Sequence, residues 1–122
     1  MSVKTRTYRC TADIVGAQVR AEYTNVREIS GENISTVNDI FLQIFDSATV
    51  PANGASDMVM TPMRVAAGKR FDLVFTRAEF PNGYVFEHGV YICASSTKYT
   101  KTLEIAPDGI DLQVLYEENV QS

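Results

Sequence analysis

The chain has 122 residues, a formal net charge of −4, and 45% hydrophobic and 21% charged residues. This length suits one domain with a single core, and this composition excludes an intrinsically disordered chain. The acidic balance argues against direct nucleic-acid binding, which requires a basic face to displace counterions from phosphates.

The sequence shows no pattern for membrane insertion or secretion. No window approaches the roughly 18 consecutive apolar residues that a membrane helix needs. Basic residues near the N-terminus are not followed by an apolar run, so we expect no secretory signal and no membrane partner. Cys10 and Cys93 are far apart in β-type sequence. Reduced thiols are favoured in a cytoplasmic product, while a disulfide between the two stays open.

Residues 1–10 are predicted to form an N-terminal arm or an edge strand. Lys4, Arg6 and Arg9 give this segment a basic character that the acidic chain as a whole lacks. A solvated edge strand is the simpler interpretation. The alternative is a partner-binding arm, in which these three residues and Tyr8 contact an acidic neighbour.

The next segment, residues 18–29, fits two templates. Val19 and Tyr23 fall on one face at period two, which is typical of a strand, while Val19, Tyr23 and Val26 also fit a helical spacing in part. The β-branched residues favour a strand slightly. Residues 31–33, Gly-Glu-Asn, are predicted to be a turn.

Residues 39–46 form a short and almost wholly apolar run between polar turns. Such a run predicts a strand that is buried on both of its faces. Residues 47–56 contain Pro, Asn and Gly and are predicted to be a surface loop. Pro62 stands beside the next short strand, around Met63 and Val65, and indicates an edge strand because proline cannot donate to the ladder.

The following pattern consists of short strands separated by strong turn signals. Residues 71–75 alternate with the period of a strand, and residues 81–83, Pro-Asn-Gly, form a turn because Asn-Gly adopts positive φ at little cost. Residues 84–86 and 90–94 are the next two predicted strands.

The last third of the chain continues this pattern. We predict strands at residues 100–105 and 110–116, a Pro-Asp-Gly turn at 107–109, and a flexible tail at 118–122. In total about seven to nine short strands alternate with turns, which is the signature of an antiparallel sandwich or barrel. The predicted fold is a single all-β antiparallel sandwich of jelly-roll or Greek-key type over residues 11–117.

No residue pattern indicates catalysis or metal binding. One histidine and two cysteines do not make a zinc site. His88 could act as a general base only if another group oriented its imidazole ring. Glu87 is poorly placed to do so, because neighbouring residues of a strand point to opposite faces. Cys93 lies in an apolar run where burial is the simpler role. We therefore predict no enzyme, no catalytic residue, no metal and no cofactor, with a hydrolase that uses His88 and Cys93 as the alternative.

Three tyrosines offer an alternative function. Tyr84, Tyr91 and Tyr99 are candidates for a glycan-binding edge, since tyrosine rings stack on sugars. The simpler interpretation places tyrosines at the boundary of a core that phenylalanines fill.

One stretch carries a resemblance to a known family. It contains an apolar strand that ends in Asp-x-Ala, a Pro/Gly loop, a Val-x-x-Gly turn, and Phe-x-x-Gly before a strand that ends in Ser and Thr. The residues involved are 41–48, Pro51, Gly54, Pro62, Val65, Gly68, Phe86, Gly89, 90–92, 95–97 and Thr100. This succession resembles small β-sandwich structural proteins of tailed-bacteriophage virions, and it covers residues 39–102, about half of the chain.

The resemblance implies a non-enzymatic virion structural protein. The expected role is a capsid decoration or cement protein that stabilises the phage head through oligomeric contacts. Its expected partners are copies of itself, with a trimer favoured, and the major capsid protein or other virion proteins. It would be made in the host bacterial cytoplasm and be located in the virion. The alternative is a tail- or fibre-associated module that binds a receptor or glycan.

Overall fold

A computed structural model of the protein describes residues 2–10, 16–35, 37–52, 54–95 and 110–120, with the backbone alone for 2–6, 8–10 and 118–120. Within these residues the chain forms nine β-strands and no helix. The strands are β1 (Ser2–Cys10), β2 (Gly16–Arg20), β3 (Thr24–Asn33), β4 (Ile40–Asp46), β5 (Met63–Val65), β6 (Arg70–Val74), β7 (Tyr84–Phe86), β8 (Val90–Ser95) and β9 (Ile110–Val120).

The strands form two antiparallel sheets. The first sheet has the order β1-β9-β3-β6, and β7 also pairs with β3. β6 and β7 share one edge of β3, because β7 pairs with residues 24–26 and β6 with residues 28–32. The second sheet has the order β2-β8-β4-β5.

A single apolar core lies between the two sheets and is built from both of them. Its buried residues are Ala17, Val19, Val26, Ile29, Ile40, Leu42, Ile44, Val65, Phe71, Phe75, Phe86, Val90, Ile92, Ala94, Ile110, Leu112 and Val114. Each large side chain of this kind contributes about 1.5–3 kcal/mol when it is removed from water. The predicted all-β antiparallel sandwich is therefore confirmed.

The second sheet is also covered on its outer face. Phe45, Tyr91 and Cys93 form a second buried cluster there, and Ala55 and Met58 of the β4–β5 connection pack against it. All six residues of β8 are consequently buried. The prediction that the strand at residues 39–46 is buried on both faces is confirmed.

Two predictions about residues 18–33 were incomplete or wrong. The helical alternative is wrong, and the single segment is divided into β2 and β3 by a bend at residues 21–23. The turn predicted at residues 31–33 is wrong because these residues end β3. Gly31 is required there by a close approach of strands, since an added Cβ would lie 1.9 Å from the Asp111 carbonyl oxygen.

Several turn and edge predictions are confirmed. β5 directly follows Pro62 and is the terminal strand of its sheet, as the proline indicated. Gly83 has a φ of 73°, as the Asn-Gly turn requires.

The last described strand is longer than the predicted one. β9 continues to Val120, so this strand includes residues 118–120 of the predicted tail. The strand predicted at 100–105 and the turn at 107–109 lie outside the described residues.

Candidate functional site

The basic N-terminal segment forms β1, which is an edge strand of the first sheet among the described strands. Ser2–Cys10 pairs with β9 along its whole length, with Lys4 opposite Glu118 and Arg6 opposite Tyr116. An arm that reaches to a neighbour would have to give up this pairing. The side chains of Lys4, Arg6, Tyr8 and Arg9 lie outside the described residues, so their partner-binding role stays a prediction.

The tyrosines proposed for glycan binding are in different layers. Tyr84 packs against the core between the sheets. The centroid of its ring is 5.2–5.8 Å from the ring centroids of Phe75, Phe80 and Phe86. Tyr91 belongs to the outer cluster and is only 3% exposed. Tyr99 lies outside the described residues. The structure therefore does not bring Tyr84 and Tyr91 together on one surface.

Tyr91 is so deeply buried that the pKa of its hydroxyl group is raised. Its ring lies edge-on to that of Phe45, with the centroids 6.2 Å apart. Its hydroxyl occupies the space above Gly16, where an added Cβ would be 2.1 Å away. Burial, followed by the neighbouring Cys93, raises the pKa of Tyr91 to about 12. This phenol acts as a packed core group with one polar end.

The residues of the hydrolase alternative have structural contacts. His88 is exposed in the turn after β7, where its backbone N–H donates to Asp46 Oδ1 at 2.8 Å. The same carboxylate accepts from the backbone N–H groups of Glu87 and Gly89, at 3.1 and 3.2 Å. The Cys93 side chain is fully buried, and its Sγ donates to Gln43 Oε1 at 3.6 Å.

Gln18 joins three separate segments through a single amide group. Its Nε2 donates to the carbonyl oxygens of Arg20, Ser47 and Val90, at 2.8, 2.7 and 3.2 Å. This contact lies where β2 shifts register against β8. The amide therefore supplies donors to three carbonyl groups around this irregularity of the ladder.

Asn33 and Ser35 organise the opposite end of the sandwich, and both are fully buried. Asn33 Nδ2 donates to the Asn38 and Val65 carbonyl oxygens, at 2.8 and 3.2 Å. Ser35 Oγ accepts from the backbone N–H groups of Val37 and Asn38, at 3.3 and 3.0 Å. These contacts fix the connection between β3 and β4.

Asp39, directly before β4, links this end of the sandwich to β5 and to the turn between β5 and β6. It accepts from the Ala67 backbone N–H at 2.9 Å and from the Arg64 guanidinium. These two contacts, the backbone one first, lower the pKa of Asp39. Sequence reasoning missed this role, although Asn, Ser and Asp just before a strand are a known signal for side-chain-to-backbone turns.

A shallow groove of about 270 Å³ lies on the outer face of the first sheet. It is lined by Glu28, Ser30, Arg70, Phe71 and Asp72. The hydrogen bond that protonated Glu28 donates to the Asp72 carboxylate, together with desolvation and the Asp72 charge, raises the pKa of Glu28. This face therefore brings two carboxyl groups together across β3 and β6.

The described residues contain neither a metal-ligand cluster nor a membrane-spanning helix. Among the side chains that the structure describes, no three His, Cys, Asp or Glu groups are close enough to hold a metal ion. The described part of the chain likewise contains no helix with the length and apolar character needed to cross a bilayer.

Comparisons with known proteins gave no relatives. No protein-family model matches the chain, and no curated protein or solved structure matches it either.

Proposed function

We propose that this protein is a non-enzymatic virion structural protein of a tailed bacteriophage, acting as a capsid decoration or cement protein. The resemblance of residues 39–102 to small virion β-sandwich proteins carries the proposal. The described part of that stretch supplies β4, β5 and β8 of the second sheet together with β6 and β7 of the first. The stretch that carries the proposal thus contributes five of the nine described strands.

The use of the polar side chains supports a role in binding through the surface. Asp46, Gln18 and Asn33 hold backbone groups of distant segments together. These residues stabilise a rigid scaffold, and a rigid scaffold lowers the entropy lost when a surface docks onto a particle. In the proposed role the protein forms homo-oligomers, with a trimer favoured, and binds the major capsid protein.

Addition of the protein to phage heads that lack it tests this proposal. We expect purified protein to bind such heads at regular lattice positions in cryo-electron microscopy and to raise the temperature at which they rupture. Light scattering should show an oligomer. A monomer that never associates with heads would contradict the proposal, and density confined to the tail or fibre would favour the alternative module.

A matched pair of charge reversals tests the basic edge. Exposed charges are screened over about 10 Å at 0.1 M salt, so a contact through β1 should weaken as salt rises. We expect Arg6→Glu to reduce head binding at low salt, whereas Lys69→Glu, an exposed residue in the turn before β6, should not. Equal effects of the two changes would exclude a specific role for β1.

A further inference from the structure

The turn before β7 contains an Asn-Gly pair whose two residues have opposite environments. Asn82 is exposed, whereas Gly83 is buried. The backbone N–H of Gly83 donates to the Phe80 carbonyl oxygen at 2.9 Å. Gly83 also lies against β3, where an added Cβ would be 2.7 Å from the Val26 carbonyl oxygen.

Asn-Gly pairs undergo a spontaneous reaction when the glycine nitrogen is free. The nitrogen of Gly83 loses its proton to hydroxide and attacks Cγ of Asn82, forming a five-membered succinimide. The Cγ–Nδ2 bond breaks, and ammonia leaves after taking a proton from water. Water then opens one of the two imide C–N bonds, which leaves aspartate or isoaspartate at residue 82. The hydrogen bond to Phe80 must open before the nitrogen can attack.

Arg27 holds this turn closed from the neighbouring strand. Its Nη1 and Nη2 donate to the Phe80 and Pro81 carbonyl oxygens, at 2.9 and 2.8 Å. Its Nε donates to Glu117 Oε1 of β9, and the two side chains are only 11% and 14% exposed. One guanidinium group therefore links the turn to β3 and β9 through charge-assisted hydrogen bonds.

We propose that Asn82 is a site of spontaneous deamidation, which the Arg27–Glu117 pair suppresses by keeping the turn closed. The reaction needs local opening of the turn, and such an opening has its own free energy, smaller than that of global unfolding. Loss of the two Arg27 contacts lowers that free energy and exposes the nitrogen of Gly83.

Deamidation at this site would damage the sheet. Isoaspartate adds one methylene group to the backbone directly before Gly83, which has no spare space against Val26. Tyr84 is opposite Val26 in the ladder between β3 and β7. A longer turn would displace Tyr84 from that register, so the modified chain should be less stable than the unmodified one.

The experiment measures deamidation of the full-length protein by peptide mass spectrometry during incubation at mildly alkaline pH. The variants are Arg27→Ala and Arg27→Lys, and the lysine keeps a positive charge beside Glu117 but has one terminal nitrogen in place of Nη1 and Nη2. Arg64→Ala is the control because it removes a different Arg–carboxylate pair, with Asp39. The unfolded chain in urea gives the unprotected rate.

We expect folded wild-type protein to deamidate at Asn82 far more slowly than the unfolded chain. Arg27→Lys and Arg27→Ala should raise the rate by roughly tenfold or more, because one to two charged hydrogen bonds are lost. Arg64→Ala should leave it unchanged. Circular dichroism would confirm that Arg27→Lys is folded.

Two results would overturn the proposal. One is an equal rate at Asn82 in folded and unfolded wild-type protein, which would mean that the turn gives no protection. The other is an unchanged rate in a folded Arg27→Lys variant, which would mean that the Arg27 contacts do not control the opening.

Discussion

The Gln18 side chain joins three segments at the point where the pairing of β2 with β8 shifts register. Its amide nitrogen faces three carbonyl oxygens, and those carbonyls come from β2, the β4–β5 connection and β8. An amide nitrogen has only two hydrogens, so the group shares its donors among them. A buried carbonyl without a donor costs about 1–3 kcal/mol, so this residue should be hard to replace.

Gln18→Glu should make stability depend on pH. A carboxylate at this position would face carbonyl oxygens, so the folded state should raise the pKa of the introduced carboxyl group above its unfolded value of about 4.3. The folded state then binds the proton more tightly, and stability is lost as pH rises through the folded pKa. We expect urea denaturation to show a large loss at neutral pH that acid partly reverses.

Gln18→Met is the control for this experiment because it has a similar shape and cannot ionise. It should lose about 1–3 kcal/mol through unpaired carbonyls, and this loss should not change with pH. A pH-independent loss in Gln18→Glu would show instead that water enters the site and solvates the charge.

At the scale of the element, sequence reasoning succeeded where a strand carried its own signal. β4 was predicted because it is an apolar run between polar turns, and the edge position of β5 was predicted because Pro62 precedes it. The break between β2 and β3 contains neither Gly nor Pro. It is made by side chains, with Arg20 Nε donating to Thr24 Oγ1 at 2.9 Å and Thr24 Oγ1 donating to the Glu22 carbonyl at 2.8 Å.

The contacts of Gln18 and Arg27 could not be predicted from the sequence because they join residues that are far apart in the chain. Gln18 reaches a residue 72 positions away, and Arg27 reaches one 90 positions away. Such pairs become visible only when the order of strands is known. Gly31 gives the same lesson, because the approach of β9 overrides the turn preference of Gly-Glu-Asn.

The contact between β3 and β6 contains a like-charge pair that a single change can relieve. Asp72 raises the pKa of Glu28, so the folded state holds this proton more tightly than the unfolded state. The penalty is therefore present at neutral pH and falls as pH decreases through the folded pKa of Glu28. Glu28→Gln should stabilise the protein at neutral pH by about 0.5 kcal/mol, since the groups are near solvent.

Thermal unfolding at several pH values checks this expectation, and Glu32→Gln on the same strand is its control. Glu32 lies 3.6 Å from Arg70, an oppositely charged partner, so its neutralisation should give no gain. The advantage of Glu28→Gln should shrink in acid as wild-type Glu28 takes up its proton. A gain that is constant with pH would rule out the carboxyl pair as its source.

At the scale of the whole molecule, the second sheet is the central layer of three. One of its faces contributes to the core between the sheets, and the other is covered by Ala55 and Met58 of the β4–β5 connection. Adjacent residues of β4 therefore belong to different clusters. Ile44 is buried in the main core and Phe45 in the outer cluster, with exposures of 3% and 1%.

Truncation of these two neighbours tests whether the outer cluster is part of the cooperative fold. If it is, Phe45→Ala should cost about 3–5 kcal/mol and Ile44→Ala about 2–5 kcal/mol. Both should unfold in one transition, with the same midpoint by far-ultraviolet and near-ultraviolet circular dichroism. Val74→Ala, at a residue 52% exposed, should change stability by about 0.5 kcal/mol or less. A separate early transition in Phe45→Ala would show that the β4–β5 connection unfolds independently. The cooperative unit would then be the two sheets alone.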